Sequence, residues 1–296
     1  MRTIQAVDFD WPKSFPNATA DVEQFLIGAK VASVNRRAKV LLIELSGNYS
    51  LVIHLKMTGQ LVFVATRHPE FISGPHSQSN GIPKPVRDDD ELRFGAGHPN
   101  DSLIGELPDK STRVTLTFTD GSQLFFNDQR KFGWMRLIPT PEVMNLDFFL
   151  KVGPEPLSDD FTWQMLKQRM LRRKNSNVKA VLLDQTVVAG IGNIYADESL
   201  WGAMIHPLML VNKLSDEQFK TLYEELIFVL KLAIEKGGST DKNYVNAKGK
   251  KGSYMSFSRV FRREGQPCPR CGSIIIKTRV AGRGTHLCPT CQKLLP

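Results

Sequence analysis

Cysteine is scarce in this chain. Only four occur in 296 residues and none lies before position 268, which argues against a disulfide-stapled scaffold for the bulk of the protein. Long apolar runs are missing too. The most apolar helical stretch, LIFVLKLAI, is interrupted by Lys231 and reaches about half a membrane span, so no transmembrane segment is read. The opening residues, MRTIQAVDFDWPK, have neither the apolar centre of a secretory signal nor the arginine and serine bias of a transit peptide. A cytoplasmic protein without a membrane partner is therefore expected. Negative charge is in deficit, with 39 Lys and Arg against 30 Asp and Glu and a formal charge of +9. A surplus of that sign favours polyanions, because phosphate contacts release condensed counterions. Nucleic acid becomes the first partner to weigh against a surface that is basic only for solubility.

What is present divides the chain into three parts. Residues 31–63, rich in Val, Ile and Leu and broken at Gly47-Asn48, read as two paired strands, and RVTLTFTDGSQLFFN reads as a hairpin around Asp120-Gly121. Between them, residues 67–111 carry several prolines and the acidic run Asp88 to Glu91, and read as an insertion loop, partly mobile. From Ser158 the apolar spacing becomes helical. The clearest helix covers 215–236, with Ser215 and Gln218 at capping-box spacing, Phe219, Leu222, Leu226, Val229 and Ala233 on one face, and Gly237-Gly238 as the stop. The boundaries drawn are 1–138 for the β part, 139–240 for the helical part and 241–296 for a basic loop and a terminal metal unit.

Cys268-x2-Cys271 and Cys288-x2-Cys291 have the spacing of a four-thiolate zinc site. Four thiolates leave no open position, so one structural Zn2+ is expected, with two disulfides or an iron-sulfur centre as the alternatives. Between the pairs, Lys277, Arg279 and Arg283 stand without any acidic residue, and Gly282 and Gly284 flank the last of them. A rigid cationic finger aimed at phosphate is the economical reading. Upstream, the sequence around Gly190, Gly192 and Asn193 reads as a tight turn entering a helix, a ready anion site beside Lys174 and Lys179, although taken alone it is an ordinary glycine turn with an asparagine cap.

With RRAK, HLKMTG, DQRKFG, GIGNIYADESL and the four-cysteine finger in one order over residues 36–291, the chain resembles the formamidopyrimidine-DNA glycosylase family. The resemblance implies an α+β multidomain fold: an N-terminal β-sandwich, a central helix-two-turns-helix domain and a C-terminal zinc-finger hairpin. It further implies a monomer that binds double-stranded DNA with oxidised bases or abasic sites. The implied reaction is attack by an amine on the sugar C1′, release of an oxidised purine, and β,δ-elimination that cuts the strand.

By the same resemblance Lys39 is a proton donor at the scissile phosphates. Asn193, Lys174 and Lys179 grip the backbone around the damaged nucleotide, Arg283 contacts the flanking phosphates and assists elimination, and Glu198 is a carboxylate near the catalytic centre. Met57, Arg130 and Phe132 match the three side chains that enter the gap left by an extruded base. A flexible apolar probe, a wedge and a donor for the widowed base suit that task.

The chain also departs from the family pattern. It begins at a point that aligns after the family's first helix, so the family's N-terminal Pro-Glu is absent from it. A start upstream of Met1 and a protein that binds damage without cutting are the two readings this leaves. Ser111 stands where histidine is usual, with Lys110 or Arg113 as possible replacements, and Lys56 stands where glycine is common. The Met, Arg, Phe triplet and the GKKGSY loop at 249–254, expected to be mobile without DNA for want of apolar anchors, point to the oxidised-purine branch. An endonuclease VIII-like enzyme for oxidised pyrimidines is the alternative, and a zinc-ribbon RNA-binding protein would explain the cysteines alone.

Overall fold

The computed structural model describes residues 1–66, 91–97, 105–239 and 252–294. The chain forms two compact units. One, the sandwich unit, is built from Met1–Asn35 and Val40–Thr140, and the other, the helical unit, includes Arg36–Lys39 with the described parts of 141–239 and 252–294.

The sandwich unit has nine strands among the described residues: β1 (Ile4–Phe9), β2 (Val31–Arg37), β3 (Val40–Leu45), β4 (Tyr49–His54), β5 (Gly59–Thr66), β6 (Glu91–Gly97), β7 (Thr112–Phe118), β8 (Gln123–Asp128) and β9 (Trp134–Pro139), with a short helix α1 (Thr19–Phe25) after β1. They make a five-stranded sheet of order β1-β7-β8-β5-β6 and a four-stranded sheet of order β2-β3-β4-β9. Ile43, Leu51, Ile53 and Met135 from one sheet meet Ile4, Val114, Leu116 and Phe126 from the other in a single core, so each sheet buries one face against its partner.

The segment read as one pair of strands over 31–63 is four strands. The additional bends fall at Ala38 (φ 52°) and Lys56 (φ 51°), left-handed residues that carry no glycine or proline to announce them. The hairpin at Asp120-Gly121 forms as its sequence predicts, with Gly121 at φ 78°. Part of the expected insertion loop is regular: Glu91–Gly97 pairs with β5 along seven residues, Thr66↔Glu91 through Gln60↔Gly97. Residues 67–90 and 98–104 lie outside the described residues, as does the acidic run up to Asp90.

In the helical unit, α2 (Asp147–Lys151), α3 (Trp163–Leu171), α4 (Val178–Leu183), α5 (Asn193–Gly202) and α6 (Asp216–Glu235) precede the hairpin of β10 (Ile276–Val280) and β11 (Arg283–Leu287). α6 follows its pattern closely. Ser215 and Gln218 close a reciprocal capping box, and Phe219, Leu222, Leu226, Val229 and Ala233 are the buried face. Burying each of the larger side chains contributes about 1.5–3 kcal/mol. The start of α3 differs from the expectation at Ser158: Thr162 is the cap, accepting from the Met165 amide at 3.2 Å. Leu166, Met170, Val181, Leu182, Leu200, Leu222 and Leu226 form the common core of these helices. No helix among the described residues is long and apolar enough to cross a membrane.

Candidate nucleic-acid interface

Lys39 sits on a four-residue corner that leaves β2 and belongs to the helical unit. Glu155 holds that corner. Its carboxylate accepts from the Ala38 amide, from Arg37 at 3.0 Å and from Arg36 at 3.2 Å. Burial would raise the Glu155 pKa, but the Ala38 amide and the two guanidiniums outweigh it and hold the carboxyl below its ordinary range. Lys39 keeps some solvent exposure, while its Nζ donates to the Ile191 carbonyl at 2.9 Å. Dense protein around the ammonium, first, and the Arg283 guanidinium, second, lower its pKa.

The turn that receives Lys39 is stapled by Gln185, which donates to the Ile191 carbonyl at 3.0 Å and accepts from the Gly190 amide at 2.9 Å. Gly190 has φ 77°, a conformation that a side chain would strain. α5 begins immediately afterwards, and its N-terminus has no side-chain cap. Unpaired N–H groups there favour an anion. Asn193 Nδ2 donates to the Gly284 carbonyl at 2.9 Å, which ties the same helix end to the start of β11, directly after Arg283. Arg283 is exposed and begins β11 behind the left-handed pair Ala281 and Gly282; its carbonyl accepts from Thr285 Oγ1 at 3.1 Å, while its guanidinium makes no hydrogen bond or ion pair among the described residues.

Lys179, expected at the DNA backbone, is placed differently. Its side chain is fully buried and paired with Asp197 at 2.5 Å, and it donates to Thr285 Oγ1 at 2.7 Å and to the Gly284 carbonyl at 3.1 Å. Burial pushes its pKa down, Asp197 pushes it back up, and Arg283 adds a further lowering. All of its donors point into the protein, so what it holds is the loop around Arg283.

Glu198 is likewise wholly buried. Its oxygens accept from the amides of Arg259 at 2.8 Å, Val260 at 3.0 Å and Phe261 at 2.8 Å, an arrangement that ties a backbone segment and leaves no oxygen facing solvent. Lys174 is exposed on the turn before α4, and its carbonyl receives the Asn212 amide. The structure does not bring it to Lys39, Asn193 or Arg283 by any bond. In the segment expected to lack apolar anchors, Tyr254 is buried against Val229 and Ala233, while residues 249–251 lie outside the described residues.

The four cysteine sulfurs all lie within 4.8 Å of one another, with Cys268 and Cys291 at 4.0 Å and Cys271 and Cys288 at 3.4 Å. A tetrahedral zinc with Zn–S of about 2.3 Å needs sulfurs about 3.8 Å apart. The donor set and its spacing therefore fit one closed, structural Zn2+.

On the sandwich unit, Met57 and Phe132 are exposed apolar side chains, at 53% and 57%. They occupy neighbouring turns, β4–β5 and β8–β9, and the Arg130 guanidinium lies 4.9 Å over the Phe132 ring. Both turns hang on Asp128. Its buried carboxylate accepts from the Thr58 hydroxyl, from the Arg130 amide at 3.2 Å and from the Gly133 amide at 2.6 Å. Gly133 is needed for that approach, since a Cβ there would meet the Phe126 ring at 2.9 Å and Asp128 Oδ2 at 3.0 Å. Ser111 is buried and donates to Asp109 at 2.6 Å. Arg113 is spent on Asp10 and on the Asp128 carbonyl, both at 3.1 Å, so it does not replace the missing histidine as a surface contact.

Sequence reasoning missed Asp128, Glu155 and Asp197. Asp128 and Asp197 stand inside DQRKFG and GIGNIYADESL, and Glu155 stands outside those motifs, but the role of each is visible only when the amides it collects are known.

Three family models match the chain: the formamidopyrimidine-DNA glycosylase N-terminal domain over residues 1–135, the formamidopyrimidine-DNA glycosylase H2TH domain over 152–244, and a zinc finger found in FPG and IleRS over 265–294. Formamidopyrimidine-DNA glycosylase of Roseiflexus sp. (strain RS-1) is 38% identical over 293 residues, covering 99% of this chain and 92% of the relative. That of Enterococcus faecalis is 38% identical over 294 residues, covering 99% and 91%. Among solved structures, Lactococcus lactis Fpg in complex with DNA containing an abasic site is similar, with a TM-score of 0.78, 31% identity, and coverage of 99% of this chain and 93% of that one. MutM in complex with DNA containing carbocyclic 8-oxo-G aligns with a TM-score of 0.77 at 31% identity, with the same coverage.

Proposed function

The chain belongs to the formamidopyrimidine-DNA glycosylase family, and from that membership we propose how its own residues serve a base-excision repair glycosylase that acts on oxidised purines in double-stranded DNA. One observation carries the reading. Lys39 and Arg283 stand close enough for the arginine to depress the lysine's pKa, and neither has an acidic partner among the described residues, beside the uncapped end of α5 and Asn193. Like charges held together without a counter-ion are costly unless an anion joins them, and a phosphodiester backbone is such an anion.

In this reading Arg283 and the α5 N-terminus hold the phosphates flanking the lesion, and Asn193 fixes the start of the strand that carries Arg283. Lys39, its pKa drawn down toward working pH, gives and takes protons more readily than an ordinary lysine. Glu155 sets the corner on which Lys39 stands, and Lys179 and Glu198 act through the backbone they bind. Met57, Arg130 and Phe132 fill the gap and meet the widowed base, at a cost of a few kcal/mol for extrusion. Zinc, when bound, supplies folding energy to the finger.

The reaction proposed on this frame is glycosylase and lyase chemistry. An amine forms a bond to C1′ as the glycosidic bond breaks and the base leaves, and elimination then cuts the strand. Borohydride reduction in the presence of an 8-oxoguanine duplex tests it. A covalent protein–DNA adduct is expected, and tight damage-specific binding without adduct would replace the enzyme by a lesion-binding protein. Indifference to damage at low salt would remove both.

A further inference from the structure

Trp201 closes α5, 6% exposed, in a small cluster with Val260, Ile275 and two of the zinc ligands, Cys268 and Cys288. Its indole Nε1–H donates to Cys268 Sγ at 3.4 Å. The ring is held in that pose from several directions. Arg270, which lies between Cys268 and Cys271, places its guanidinium 4.0 Å over the ring and donates to the carbonyls of Trp201 at 3.0 Å and Gly202 at 3.1 Å. Arg259 lies over the same ring at 4.8 Å and is anchored by Glu225 at 2.9 Å. Rotation of the indole away from the sulfur would break the packing with Val260 and Ile275 and both cation contacts.

A divalent ion among four thiolates leaves the cluster negative, and a buried negative sulfur is stabilised by any donor aimed at it. Partners outside the coordination shell routinely set how tightly a metal is held. We propose that Trp201 is an outer-sphere partner of the zinc: its N–H stabilises the Cys268 thiolate, so that metal affinity depends on a helix that contributes no ligand. The proposal rests on the zinc reading of the four cysteines and needs no assumption about catalysis. A tryptophan that only filled the core would behave as phenylalanine does toward the metal.

Trp201→Phe in the full-length chain keeps an aromatic ring beneath the guanidiniums and removes the donor. In competition with a chelator it should hold zinc roughly tenfold more weakly. With cobalt(II) in place of zinc, its thiolate-to-metal charge-transfer band should shift from that of the unaltered protein, a change that loss of packing alone would not produce. Equal zinc affinity and superimposable cobalt spectra would overturn the proposal. A second measurement avoids the variant altogether. In the native chain loaded with cadmium-113, the indole proton of Trp201 should show scalar coupling to the metal through Cys268, and absence of that coupling would also overturn it. If native protein fails to give a tetrahedral thiolate cobalt spectrum, it is the zinc assignment that falls.

Discussion

Lys179 Nζ and Asp197 Oδ1 lie 2.5 Å apart, and neither side chain reaches solvent. The pair joins α4 to α5, and through Thr285 and the His286 amide it also holds the finger hairpin. Lys179→Met would strand a carboxylate in the interior and should cost about 3–5 kcal/mol, read as a fall in the unfolding midpoint. Adding Asp197→Asn removes the orphaned charge and keeps an acceptor for His286, so the double variant should be more stable than the single one. A single variant at least as stable as the double would contradict this.

Arg283 lowers the pKa of Lys39, after burial, which lowers it most. If Lys39 donates a proton during strand cutting, the rate falls as pH rises through that pKa. Arg283→Gln removes one of the lowering influences, so the alkaline limb of the rate profile should move to higher pH even though the rate itself drops. A limb that stays in place would separate the two residues functionally.

The Glu155 carboxyl is depressed by the Ala38 amide and by Arg36 and Arg37, against the raising effect of burial. A depressed folded pKa adds stability that is complete above the unfolded value of about 4.3 and is lost as pH falls through the folded one. Glu155→Gln should therefore show a shallower loss of stability below about pH 4.3 than the unaltered chain. Urea midpoints measured across that window decide the matter, and parallel curves would exclude the assignment.

Asp128 gathers both turns of the sandwich unit that present Met57, Arg130 and Phe132. Asp128→Ala frees them from each other and should lower excision of 8-oxoguanine at least about tenfold, the value of one charge-assisted hydrogen bond. Binding to undamaged duplex should be unchanged. Equal losses on damaged and undamaged DNA would point to a folding defect instead.

Arg283→Ala should weaken binding evenly across sequences and reduce the slope of log affinity against log salt by about one. Chelation of zinc should produce a larger loss, because the whole finger goes with it. An unchanged salt slope in the variant would remove Arg283 from the phosphate contacts.

Much of this was legible in the residues. The α6 cap and stripe, the hairpin at Asp120-Gly121 and the four thiolates each follow from spacing alone, since each is a local rule. The bends at Ala38 and Lys56 were not, because tertiary pairing forces left-handed backbone on residues that do not advertise it. Strand β6 was hidden by the irregular sequence around it. Lys179 and Glu198 were named, yet their burial and the backbone groups they satisfy follow from neighbours more than 60 residues away. Resemblance identifies which residues matter, whereas only geometry tells a residue that touches DNA from one that braces another.

α5 carries Asn193 at one end and Trp201 near the other, about 12 Å apart at 1.5 Å per residue, while the helical core of Leu166, Leu182 and Leu226 includes no residue of the finger. Metal starvation would thus leave a molecule whose bundle persists and whose tail hangs open. Proteases that clip loose ends would trim such a molecule back toward α6 and strip Arg283 with the tail, so a cell short of zinc would accumulate shortened, gripless copies.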